Sequence, residues 1–161
     1  MNLRTIALVA AALSATLVGM PCYAASKVQV TQYEKQVERA ATKECSGDTG
    51  DGVSMTAYSG SLAGVGAVTV ISALSNGCGG GQASRSWLWV FFADGSSGQA
   101  SQPPNSIESL EFTGDHILVK SIEVGPEDSP NFPSHLTQFV YKVVDRKLTL
   151  ASSKFLGIKK E

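Results

Sequence analysis

The chain predicts an α+β fold: one N-terminal helix packed on a mainly antiparallel sheet or sandwich of six to seven strands. Three observations predict it. Helical spacing is confined to residues 26–44. From Val53 onward, segments rich in Val, Ile, Trp, Phe and Thr alternate with turn chemistry. The connections between those segments are too short for the crossovers that parallel strands require. A length of 161 residues suits one domain rather than two, here residues 26–161.

Residues 1–25 are expected to be a signal peptide. Met1-Asn2-Leu3-Arg4 supplies a charged start, Thr5 to Val18 is uncharged, and Gly19 to Ala25 brings a helix breaker and small residues. The apolar run is shorter than the roughly 20 residues of a spanning helix. Cleavage is expected after Ala24 or Ala25, where small residues fit the peptidase. Lipidation of Cys22 is disfavoured, because Pro21 and Gly19 stand where a lipoprotein site wants a small residue and a leucine.

In the predicted helix, Thr31 and Glu34 have capping-box spacing. Tyr33, Val37, Ala40 and Ala41 form an apolar stripe, and Gly47 supplies a stop. Ser46 to Gly52 reads as a turn. Asp48 and Asp51 within it lack the further oxygen ligands and distant glutamate of an EF-hand. Val53–Ala57 and Val65–Leu74 read as strands, with a bend suggested by Gly60, Gly64 and Gly66. Trp87 to Phe92 is apolar at every position, which describes a central strand buried on both faces. Gly95 to Asn105 reads as a loop. Ile107–Phe112 and Ile117–Val124 flank a hairpin turn at Thr113 to His116. Leu136–Val144 and Leu148–Ala151 flank a second at Asp145 to Lys147.

Removal of the leader leaves Cys45 and Cys78. Two thiols in an oxidising compartment are expected to pair, and closing their loop stabilises a fold by about 3–4 kcal/mol on the chain-entropy account. Without a CxxC or a nearby histidine, zinc is not expected. Neither a metal nor another cofactor is expected elsewhere. Loss of Arg4 shifts the formal net charge from −1 to −2. No basic stripe with interleaved aromatics suggests nucleic acid, and no second long apolar run suggests a membrane span.

Catalytic signatures are weak. The two histidines, His116 and His135, are the candidates for a hydrolase, but no G-x-S-x-G or S-x-x-K accompanies them. Asn76-Gly77-Cys78-Gly79-Gly80-Gly81-Gln82 is glycine-rich, yet a strand rather than a helix follows it and the nearest cation is Arg85. That context favours a loop pinned by a disulfide over a phosphate cradle. Gly125 to His135 holds Pro126, Pro130 and Pro133, which stiffen it. Phe132 between them reads either as an exposed anchor or as a side chain folded onto the core.

Gly79-Gly80-Gly81, Trp87 to Phe92, Gly114-Asp115, Gly125-Pro126-Glu127-Asp128, Pro133-Ser134 and Tyr141 occur in an order that resembles a loose group of small bacterial secreted and lipoprotein domains. The resemblance spans residues 76–150. It implies a β-rich envelope domain and no particular activity. Members often carry paired cysteines before the Pro-Ser, where this chain has Asn131-Phe132.

Small size, export, a disulfide and stiff loops together lead to one expectation. The chain is a periplasmic protein-binding domain, most concretely an inhibitor or immunity protein against an envelope-targeting hydrolase or toxin. Arg85, Asp128 and Phe132 are the expected contact residues. The alternatives are a hydrolase using His116 or His135 and a structural or small-ligand module of the envelope.

Overall fold

A computed structural model describes residues 25–80, 84–129 and 132–159. The expected signal peptide and Cys22 fall almost wholly outside those residues. So do Gly81, Gln82, Pro130 and Asn131.

Helix α1 spans Lys27–Glu44. Its N-cap is Ser26: the Ser26 hydroxyl accepts from the Gln29 amide, and the Gln29 side chain accepts from the Ser26 amide. This capping box lies five residues before the expected one. Thr31 is inside the helix, where its hydroxyl donates to the Lys27 carbonyl at 3.1 Å. A threonine one turn into a helix bonds backward as readily as it caps, so spacing alone chose the wrong hydroxyl.

The strands are β1 Val53–Leu62, β2 Gly66–Asn76, β3 Ser84–Phe92, β4 Ser97–Gln99, β5 Ser106–Thr113, β6 His116–Glu123, β7 His135–Val144 and β8 Lys147–Ile158. They form two four-stranded sheets, ordered β1-β2-β3-β4 and β5-β6-β7-β8, with every neighbouring pair antiparallel. The expected α+β fold with six to seven strands is thereby corrected to a mostly β architecture of eight strands plus one helix.

The missed strand is β4. Ser97-Gly98-Gln99 has no apolar alternation, and it pairs with Trp89 to Phe91 for only three residues. Its place is set by tertiary contact: a Cβ on Gly98 would stand 1.8 Å from the Arg146 carbonyl oxygen. Only glycine lets the turn between β7 and β8 approach this closely. That turn is a two-residue connection, with Asp145 and Arg146 both at positive φ (48° and 63°), as a tight right-twisting hairpin requires.

Three layers result. On one face of the first sheet, Ile71, Ala73, Trp87 and Phe91 pack against Val37 and Ala41 of α1 and against its C-cap residue Cys45. On the other, Val68, Val70, Leu88, Val90 and Phe92 pack against Ile117, Val119, Tyr141 and Leu148 of the second sheet. Strand β3 therefore supplies apolar side chains to both layers. This explains its unbroken apolar sequence, because alternate residues of a strand face opposite sides.

The chain that links the sheets is stitched to the second one. Tyr141 donates to the Gln102 carbonyl at 2.6 Å, and the Asn105 amide donates to Glu123 at 2.9 Å. Burial first, and the Glu123 charge second, push the Tyr141 phenol well above its usual pKa. Among the described residues, no helix is long and apolar enough to cross a membrane.

Candidate functional site

The β6–β7 loop, residues 124–134, leaves one end of the second sheet. A single carboxylate organises it. Asp128 Oδ2 accepts from the amides of Gly125 (2.8 Å) and Ser134 (2.7 Å), and Oδ1 accepts from the Ser134 hydroxyl (2.8 Å). These bonds, the Gly125 amide first, then the Ser134 hydroxyl and then the Ser134 amide, hold the Asp128 carboxyl below its ordinary pKa. Asp128 was expected to face a partner. Its oxygens instead accept from the loop itself, so its role in this geometry is to brace. Gly125 sits against the His135 ring, where a Cβ would come within 2.1 Å of Nε2. The loop is thus closed at its base on both sides.

Bracing leaves the loop's aromatic outside. Phe132 is 73% exposed, so of the two sequence readings the exposed one is observed. Strand pairing sets His135 beside Ile158, and the Lys159 amide donates to the Ser134 carbonyl at 2.8 Å. The His135 ring lies 4.9 Å from that of Phe155. Val124, Phe155 and Ile158 are 44%, 53% and 62% exposed. Four large apolar side chains therefore stand at one end of the second sheet, around a braced loop. Apolar side chains gathered in this way mark interaction surfaces more often than ones scattered singly.

Arg85 belongs to the other sheet. It is the second residue of β3, donates to Glu44 Oε2 at 2.9 Å, and stacks 5.8 Å above the Trp87 ring. Trp87 Nε1 donates to the same Glu44 oxygen, also at 2.9 Å. Glu44 is the last residue of α1, so this trio ties the helix end to β3. A shallow cleft of about 380 Å³ lies beside it, reaching Pro103. Arg85 is half exposed and already paired. Among the described residues, no hydrogen bond or ion pair joins it to Asp128 or to Phe132.

The glycine-rich segment is anchored within the fold. Cys45 and Cys78 sulfurs stand at bonding distance, 2.02 Å, across a separation of 33 residues. The Gly79 amide donates to the Asp48 carbonyl at 2.9 Å. That amide is therefore spent inside the chain rather than aimed at an anion.

His116 and His135 sit at opposite ends of β6 and its partner β7. Pairing of His116 with Lys142 and of Glu123 with His135 puts them seven residues apart along the sheet, about 24 Å. His116 Nδ1 lies 2.9 Å from Asp115 Oδ1, and Lys142 donates to Asp115 Oδ2 at 2.9 Å. Those two partners, His116 first, hold the Asp115 carboxyl down at about 2. Among the described residues, neither ring hydrogen-bonds a serine hydroxyl, so the nucleophile–base contact of a serine hydrolase is not assembled here.

Phe155 and Ile158 had escaped sequence reasoning, and Val124 was expected to end a strand that stops at Glu123. The second predicted hairpin strand stopped at Ala151, whereas β8 continues to Ile158. Its outer half is exposed, so no buried stripe announced it. No protein-family model, curated protein or solved structure matches the chain.

Proposed function

We propose that the chain is an exported, periplasmic protein-binding domain that neutralises an envelope-targeting hydrolase or toxin, as an inhibitor or immunity protein. The observation that carries this reading is Phe132, 73% exposed on a loop whose conformation Asp128 already holds. A braced loop loses little entropy on docking. An aromatic at its tip contributes about 1.5–3 kcal/mol when buried in a partner's pocket. Val124, Phe155 and Ile158 extend the apolar surface around it. The disulfide fits an oxidising compartment, as does the leader-like N-terminus.

The test is binding of the purified chain to a panel of secreted peptidoglycan and lipid hydrolases, with inhibition of each enzyme read in parallel. Wild-type protein is expected to bind and inhibit one class. Phe132→Ala is expected to weaken that binding by about thirtyfold, the size of a buried aromatic hot spot. Retention of no hydrolase at micromolar concentration, or full affinity in Phe132→Ala, overturns the reading.

A further inference from the structure

The outer face of the second sheet is a distinct feature from the loop end. Sheet pairing sorts its side chains into rows. Ser109, Lys120, Gln138 and Lys154 lie abreast across β5 to β8. On one side of that row Glu111, Leu118 and Val140 lie abreast, with the exposed Glu111 on edge strand β5, and on the other Ile122 pairs with Leu136. All four aliphatic residues are half-buried. They point away from the core, since their strand neighbours Ile117, Val119 and Tyr141 are the ones packed inside. The equivalent face of the first sheet is covered by α1. Lys120 and Lys154 are exposed, and neither has an ion-pair partner among the described residues. Lys142, one cationic row further along, is already paired with Asp115 at 2.9 Å.

We infer that this face docks a partner protein through an acidic surface, with carboxylates meeting Lys120 and Lys154 and apolar side chains lying on the flanking aliphatic rows. Lys120 and Lys154 outnumber Glu111 on this face, and that positive balance selects the partner. Two lysines two strand spacings apart, about 10 Å, repel each other weakly in water, and an opposing pair of carboxylates relieves that repulsion and steers encounter. The aliphatic rows lie about 7 Å to either side along the strands. They are half-buried rather than fully exposed, which suits a complementary protein surface better than an acyl layer, which apolar residues must penetrate. A second copy of this face would set lysine against lysine. The inference goes beyond the loop-end reading and stands without it.

The probe is a synthetic amphipathic peptide of Glu and Leu, with a control carrying Lys for Glu and with phosphatidylglycerol vesicles as the lipid arm. The expected result is saturable binding of the acidic peptide alone, with amide shifts at Leu118, Lys120, Gln138 and Val140. The double charge reversal Lys120→Glu, Lys154→Glu is expected to weaken it by about tenfold. The neutral pair Lys120→Gln, Lys154→Gln is expected to give a smaller loss in the same direction, and it stands in if the reversal does not fold. Absence of peptide binding overturns the inference. So do equal affinity in the variants, shifts confined to residues 124–134, or vesicle binding in place of peptide binding.

Discussion

The two sheets have the same strand number and opposite situations. The first is covered on both faces, by α1 on one side and by the second sheet on the other. Its middle strands β2 and β3 are buried along most of their length, and the connection between them is tethered to the helix end by Cys45–Cys78. The second sheet is covered on one face. The outer half of β8 is exposed from Ala151 to Leu156, and the large exposed apolar residues Val124, Phe132, Phe155 and Ile158 gather where β6, β7 and β8 meet the long loop. The difference leaves the first sheet as the covered layer, and in the proposed reading it leaves the second sheet as the contact layer. Loops and half-covered faces carry binding because a rigid, fully covered layer holds them in place.

The sharpest way to break that division is to truncate one aromatic in each sheet. Trp87, 2% exposed between β3 and α1, also donates to Glu44. Trp87→Ala is expected to cost about 3–5 kcal/mol, read as a shift in the urea midpoint. Phe155→Ala, at an exposed position, is expected to change stability by no more than about 0.5 kcal/mol. Comparable losses in the two variants would refute the division.

Next in size is the disulfide. Cys45→Ala with Cys78→Ala is expected to cost about 3–4 kcal/mol. Native-state hydrogen exchange should place the increased opening in α1, β2 and β3, with β6 and β7 retaining their relative protection. Uniform loosening of both sheets would show that they unfold as one unit.

The smallest effect concerns acid. The folded-state pKa of Asp128 is depressed by its loop bonds. The stabilisation those bonds give is therefore fully present above the unfolded value of about 3.9. It is lost as pH falls below that value through the depressed one. Amide protection of Gly125 and Ser134 is expected to fall over that range while that of Val70 and Val90 persists. Protection at Gly125 that is independent of pH would remove Asp128 from its bracing role.

Much of this molecule is legible in its sequence, and the misses share a cause. The run from Trp87 to Phe92 announced a strand buried on both sides, because no half-exposed strand is apolar at every position. Thr113 to His116 and Asp145 to Lys147 announced hairpins through local turn chemistry. The failures are β4 and the outer half of β8, which carry no apolar period. The first exists because Gly98 admits the β7–β8 turn, and the second because β7 offers it a ladder. At the candidate site, Phe132 was identifiable as a special residue, but its exposure was not. Asp128 was identifiable too, yet its use within the loop was hidden, since a carboxylate looks the same in sequence whether it braces or reaches.

What the sequence by itself determined is the set of pieces: one helix, the apolar strands, the tight turns and the two cysteines available to pair. Each follows from periodicity or local backbone preference within a few residues. The tertiary structure alone decided that the strands divide into two sheets, that α1 covers only the first, and that the second keeps an open face with lysines set between aliphatic rows. Those are consequences of which surfaces meet. A strand's own residues set its two faces, and only its neighbours decide which face is hidden from water.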